Sequence, residues 1–152
     1  MTIYLVRHAK AGSRSAWSED DRTRPLTDNG WTQSRMLMTQ FANETVTRLI
    51  SSPFLRCRQT LEPLAAWTGL NVEIDERLAE NTDRDLVREL LNEAGDGTVM
   101  CSHGDVIPGV LTLLEREGMV LTAWCDTRKA ATAVLDREGS RFTTASFWAP
   151  PQ

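Results

Sequence analysis

Apolar positions along the chain form short two-sided runs that alternate with segments of helical spacing. Thr2–Val6 (TIYLV) is β-rich and apolar at successive positions, as a strand buried on both faces of a parallel sheet should be. From Trp31 to Ala42 the apolar residues Trp31, Met36, Leu37, Met38 and Phe41 follow helical spacing, with Thr27 or Asp28 as N-cap. Val46–Ile50 (VTRLI) reads as a second strand. Ser52-Pro53 reads as a helix start, a capping hydroxyl followed by Pro at the first helical position. That helix is expected to run to about Trp67 and stop near Gly69, with Pro63 perturbing it.

The alternation continues. Asn71–Ile74 is a short strand, and Leu86–Leu91 lies in a helix capped by Thr82 or Asp83 that ends near Gly95. Thr98–Cys101 is a strand, Val106–Glu117 a helix, and Val120 to Trp148 holds two or three β-rich stretches that extend the sheet. This order predicts an α/β fold, a single domain over residues 1–152, with a mostly parallel sheet and helices on both faces. A ligand site in such a sheet lies outside the carboxyl ends of the strands.

Composition narrows the function classes. At 41% hydrophobic and 25% charged residues the chain has the makeup of a globular protein. No apolar run approaches the roughly 18 residues of a membrane span, and MTIYLVRHAK lacks the layout of a secretory signal. Seventeen basic against twenty-one acidic residues leave a net charge of −4. Neither nucleic acid nor membrane is therefore expected as a partner. Cys57, Cys101 and Cys125 are too few and too scattered for a disulfide framework, and no Cys/His spacing suits zinc. Reduced thiols point to the cytoplasm.

The chemistry-bearing residues gather where the sheet rule directs. The chain has two histidines, and each directly follows a predicted strand: His8 in IYLVRH and His103 in TVMCSH. If those strands are neighbours, both imidazoles emerge at one edge. Arg7 precedes His8, and Arg56 sits one turn into the helix after Ser52-Pro53, able to reach back toward the strand ends. Guanidinium groups match phosphate oxygens and stay charged, and helix N-termini add free N–H groups. A neutral imidazole can attack phosphorus and form a phosphohistidine, with the flanking cations stabilising the transferring charge. Such a site requires no metal and no cofactor. Glu80 is the best candidate acid for the leaving group, ahead of Asp105 and of Asp20 or Asp21. The loop from Ser13 to Arg24 carries Arg14, Arg22 and Trp17. In its functional reading Arg24 orders the pocket rim while Trp17 and Arg14 contact substrate. Trp31, Trp67, Trp124 and Trp148 read as core or partly buried structural residues.

Three motifs then carry a resemblance. LVRHAKAG resembles the RHG-type signature of the histidine phosphatase superfamily, SSPFLRCRQT its SSP-x-x-R-x-x-QT signature, and CSHGD its second-histidine motif, in the family's order over roughly residues 2–115. RPLTDNG (Arg24–Gly30) resembles the SixA-like phosphohistidine phosphatase branch and also phosphatase domains fused to Nudix hydrolases. The resemblance implies a phosphoglycerate mutase-like fold. It implies His8 as the phosphorylated nucleophile, Arg7 and Arg56 as phosphate-binding arginines, His103 as the second pocket histidine, and Glu80 as proton donor. Two departures stand out. Ala9 replaces the usual Gly, and KAGSRSAW lacks the Asn with which mutase-like members contact phosphate, leaving Ser13 or no residue in its place.

The expected function is thus a metal-independent phosphatase working through a phosphohistidine intermediate on His8, with protein phosphohistidine as substrate. Phosphorylated metabolites or nucleotides are the alternative substrates. A phosphatase fold that grips phosphorylated ligands with low turnover is the alternative class. The oligomeric state is left open.

Overall fold

The computed structural model describes residues 1–152. Its strands are β1 (Thr2–Arg7), β2 (Arg48–Ser51), β3 (Val72–Ile74), β4 (Thr98–Ser102), β5 (Val120–Leu121), β6 (Thr132–Glu138) and β7 (Arg141–Trp148). Its helices are α1 (Asp28–Gln40), α2 (Leu55–Thr68), α3 (Arg84–Glu93) and α4 (Val106–Arg116). The strands form one seven-stranded sheet in the order β3-β2-β4-β1-β6-β7-β5. β3, β2, β4 and β1 run parallel, and β6 is antiparallel to both β1 and β7. The α/β class and the mostly parallel sheet are as the sequence pattern predicts.

Two apolar layers hold the helices to opposite faces. One joins α3 and α4 residues such as Leu90, Leu91, Val110 and Leu114 to Ile3, Leu5, Ile50 and Met100 of the sheet. The other joins Leu37 and Phe41 of α1 and Cys57, Leu61 and Leu64 of α2 to Tyr4, Val6, Leu49 and Val99. Neighbours along β1 therefore alternate between the two layers, which explains why TIYLV is apolar throughout. Thr27 caps α1 by accepting from the Gly30 amide, and Asp83 caps α3. Gly30 is required where it stands, since a Cβ there would overlap the Lys10 carbonyl oxygen.

One local expectation needs correction. α2 begins at Leu55 rather than at Ser52-Pro53, with Phe54 as N-cap; the Ser52 hydroxyl accepts from the Phe54 amide just before the helix. The far end is as expected: the helix runs through Pro63 to Thr68 and stops at Gly69. Burial of Leu61 and Leu64 on either side outweighs the missing hydrogen bond. No helix is long and apolar enough to cross a membrane.

Candidate active site

β1 and β4 lie side by side with Arg7 opposite Ser102, so the residues that follow each strand meet at one edge. The His8 amide donates to the Ser102 carbonyl at 3.1 Å, and the rings of His8 and His103 approach edge to face with centroids 5.5 Å apart. β2 pairs with β4 so that Ser51 faces Cys101, which delivers Ser52 and the start of α2 to the same edge. Arg56, within the first turn of α2, is wholly buried. A cleft of about 360 Å³ opens there. Arg7, His8, Ser13, Arg14, Arg24, Arg56, Glu80, Asp105 and Lys129 are among its lining residues.

The tautomer of each histidine follows from its partners. His8 Nδ1 donates to the Ala9 carbonyl at 2.8 Å. A carbonyl only accepts, so the proton resides on Nδ1 and the Nε2 lone pair is free. His103 Nε2 lies 2.8 Å from Ser52 Oγ, which accepts from the Phe54 amide at 3.2 Å and can donate its own proton to the ring. With Ser52 as donor, the His103 proton resides on Nδ1. Burial, reinforced by Arg56 and Arg7, lowers the His8 pKa to about 3. Burial, then His8 and Arg56, lowers that of His103 to about 3. Both rings are neutral near pH 7.

Three buried N–H donors find no acceptor in the protein: Arg7 Nε, Arg56 Nε and His103 Nδ1. Buried donors are nearly always satisfied, and these three belong to residues that line or adjoin one cleft. Arg7 Nη1 is tied to the Thr127 carbonyl at 3.1 Å. Gly104 leaves room for the Arg7 guanidinium, because a Cβ there would stand 2.6 Å from Arg7 Cζ. Arg56 Nη1 donates to the Asp21 carbonyl at 2.9 Å, and its Nη2 pairs with Asp21 Oδ2 at 3.1 Å and Glu80 Oε2 at 3.4 Å. Burial alone would raise the Asp21 carboxyl, but the bonds from Arg24 and Arg56 hold it below the usual carboxylate range. No group of three or more His, Cys, Asp or Glu side chains is placed to hold a metal ion.

Fixed polar donors around one lone pair suit a tetrahedral oxyanion, and the comparisons point the same way. The profile of the histidine phosphatase superfamily (branch 1) matches residues 3–82.

The chain belongs to the histidine phosphatase superfamily.

Within that superfamily it is 33% identical to the 8-oxo-(d)GTP phosphatase of Mycolicibacterium smegmatis over 99% of the chain, and it spans 48% of that protein. It is 32% identical to phosphohistidine phosphatase SixA of Escherichia coli over 111 residues, covering 68% of this chain and 67% of SixA. The solved structure of the protein histidine phosphatase SixA complexed with tungstate aligns with a TM-score of 0.75 at 25% identity, covering 99% of this chain and 97% of that one. Its fold is the SixA-like, phosphoglycerate mutase-like fold of this superfamily.

Other sequence candidates sit around the same histidine phosphatase cleft. Glu80 Oε1 pairs with Arg14 Nη2 at 2.6 Å. Arg24 is buried, donating from Nε to Asp21 Oδ1 at 2.9 Å and from Nη1 to the Gly12 carbonyl. Ser13 Oγ meets Ser15 Oγ at 2.8 Å. Trp17 is partly buried, its Nε1 donating to the Asp20 carbonyl at 3.0 Å. The expectation of structural tryptophans fails for Trp124, 89% exposed on the loop before β6, and for Trp67, 52% exposed at the end of α2. Each lies where a loop or helix end leaves the apolar layers. Sequence reasoning missed three residues at the cleft. Ser52 and Gly104 were inside quoted motifs, whereas Lys129, in the loop before β6, carries no pattern.

Proposed function

We propose that this protein is a metal-independent phosphatase that passes the phosphoryl group through His8. The observation that carries the proposal is the set of three N–H donors without a partner, on Arg7, Arg56 and His103, at the cleft that His8 lines with its Nε2 lone pair free. Three phosphoryl oxygens take these donors. Nε2 attacks phosphorus, the bond to the leaving group breaks with its electron pair, and a proton reaches the leaving atom from Glu80 or water. Water then attacks phospho-His8 and releases phosphate, restoring the lone pair. The guanidinium charges offset the charge on the transferring group, which is the largest contribution in such sites. Neutral His8 is poised for attack without first losing a proton.

Protein phosphohistidine is the substrate we favour. Glu80 is ion-paired to both Arg14 and Arg56, an arrangement better suited to holding the cleft together than to protonating a poor leaving group. An imidazole leaves more readily than an alkoxide and needs less such help. A nucleotide substrate is the second reading, favoured by similarity along 99% of the chain to the 8-oxo-(d)GTP phosphatase. The free thiols of buried Cys57 and Cys101 support a reducing compartment, the cytoplasm.

The test is to quench turnover of a phosphohistidine protein, an 8-oxo-guanine nucleotide and p-nitrophenyl phosphate. An acid-labile, base-stable phosphoryl-enzyme is expected in the wild type and absent in His8→Ala. Full turnover by His8→Ala would overturn the nucleophile. A binding module would hold phosphorylated ligand without releasing phosphate.

A further inference from the structure

One charged residue at the cleft has no partner. Glu80 is paired with Arg14 and Arg56, Asp21 with Arg24 and Arg56, and Asp105 accepts the Asn81 amide at 2.7 Å. Lys129 lines the cleft and forms neither a hydrogen bond nor an ion pair with the protein. Partial burial lowers its pKa most, followed by repulsion from Arg7, Arg24, Lys10 and Arg56. An ammonium group held among four cations is destabilising unless an anion joins them.

The backbone is arranged to keep it there. The chain has two non-glycine residues at positive φ, Asn81 (65°) and Ala130 (66°). Each directly follows a charged cleft residue, Glu80 in one case and Lys129 in the other. Strain of this kind persists only where surrounding structure enforces it, and it concentrates at functional sites. Enforcement at Ala130 is visible. Its side chain is fully buried, and its amide lies 3.1 Å from the Arg7 carbonyl and 3.2 Å from the His8 carbonyl. Arg7 in turn donates from its amide to the Ala131 carbonyl and from Nη1 to the Thr127 carbonyl, both at 3.1 Å. The loop before β6 is thus clamped to the catalytic strand end on both sides of Lys129.

Lys129 differs from the phosphoryl-binding set in exposure. His8, Arg56 and His103 are buried, whereas Lys129 is exposed at the wall of the cleft. We propose that Lys129 is a specificity-determining residue that binds a second anionic group, a phosphate or a carboxylate, carried by the leaving portion of the substrate. This rests on the phosphatase reading of the same cleft. A second phosphate and a carboxylate present the same chemistry, oxygen anions a few bonds from the scissile phosphorus, and an ammonium serves either as a point charge.

Three non-hydrolysable probes separate the cases by calorimetric titration of the full chain: methylphosphonate with one anionic group, methylenediphosphonate with a second phosphorus, and phosphonoacetate with a carboxylate. We expect at least one two-anion probe to bind the wild type about tenfold or more tightly than methylphosphonate. The advantage should vanish in Lys129→Met and survive in Lys129→Arg. Whichever two-anion probe gains more identifies the second group. Equal affinity for all three, or an equal loss across all three in Lys129→Met, overturns the role of Lys129 alone. A wild-type chain that binds none of them overturns the phosphoryl pocket and the proposal with it.

Discussion

Gly104 and the Arg7 guanidinium are packed face to face: a Cβ built on residue 104 would lie 2.6 Å from Arg7 Cζ, 2.8 Å from Nη2 and 2.9 Å from Nε. The glycine of CSHGD is thus explained by a side chain that arrives from the neighbouring strand. Gly104→Ala should push Arg7 off its position while leaving the sheet folded. We expect kcat/KM for p-nitrophenyl phosphate to fall about tenfold or more, a loss of at least ~1.4 kcal/mol of transition-state stabilisation. An unchanged kcat/KM with an unchanged melting temperature would show that Arg7 does not act from this position.

Arg56 is held by Asp21 through both a carbonyl and a carboxylate oxygen. Asp21→Ala removes the carboxylate from a wholly buried guanidinium, leaving Glu80 at 3.4 Å as its remaining ion-pair partner. Losing a hydrogen bond to a buried charged group costs about 1.5–3 kcal/mol. The melting temperature should drop accordingly. Activity should drop with it if Asp21 also aims Arg56, and Asp21→Asn should recover part of both. A thermal unfolding series paired with initial rates reads the two effects separately.

Glu80 bridges Arg14 and Arg56, and its role divides by leaving group. If it donates the proton, Glu80→Gln should slow esters with basic leaving groups far more than p-nitrophenyl phosphate or phosphohistidine. An equal reduction across that series would assign Glu80 to holding Arg14 and Arg56 instead.

The two neutral histidines set an acid dependence of stability. Both are held at about 3 in the folded chain, against an ordinary value of 6.5. Below pH 6.5 the unfolded chain takes up protons that the folded chain refuses until about pH 3, so stability falls as pH drops through that window and is flat above it. The loss by pH 5 is on the order of 2 kcal/mol for each histidine. Chemical denaturation of wild type and of His103→Asn at pH 7 and pH 5 measures it. A pH response as large in the variant as in the wild type would deny His103 this role.

Much of the fold was legible because β1 and β4 are buried on both faces and α1 and α3 carry ordinary caps at Thr27 and Asp83. The expected start of α2 lies ahead of the observed one because Ser52 binds the Phe54 amide as a cap would, yet the helical turns begin only at Leu55. The same hydroxyl also meets His103, a residue far along the chain, which local chemistry does not reveal. The tail was legible only as β-rich, since antiparallel pairing of β6 with β1 depends on contacts between the two ends of the chain.

By itself the sequence determined the residue types and their places at strand ends: His8 and His103 after apolar runs, Arg7 beside one of them, Arg56 one turn into a helix. Those features are local, set by periodicity and by the direction of the chain. Tertiary structure alone decided that Ser52 and Ala9 choose the histidine tautomers, that Gly104 makes room for Arg7, that Asp21 holds Arg56, and that the loop before β6 carries Lys129 to the cleft. Each of these, apart from the bond between His8 and its neighbour Ala9, joins segments distant in sequence. Their geometry arises from strand order and register, which no local pattern encodes.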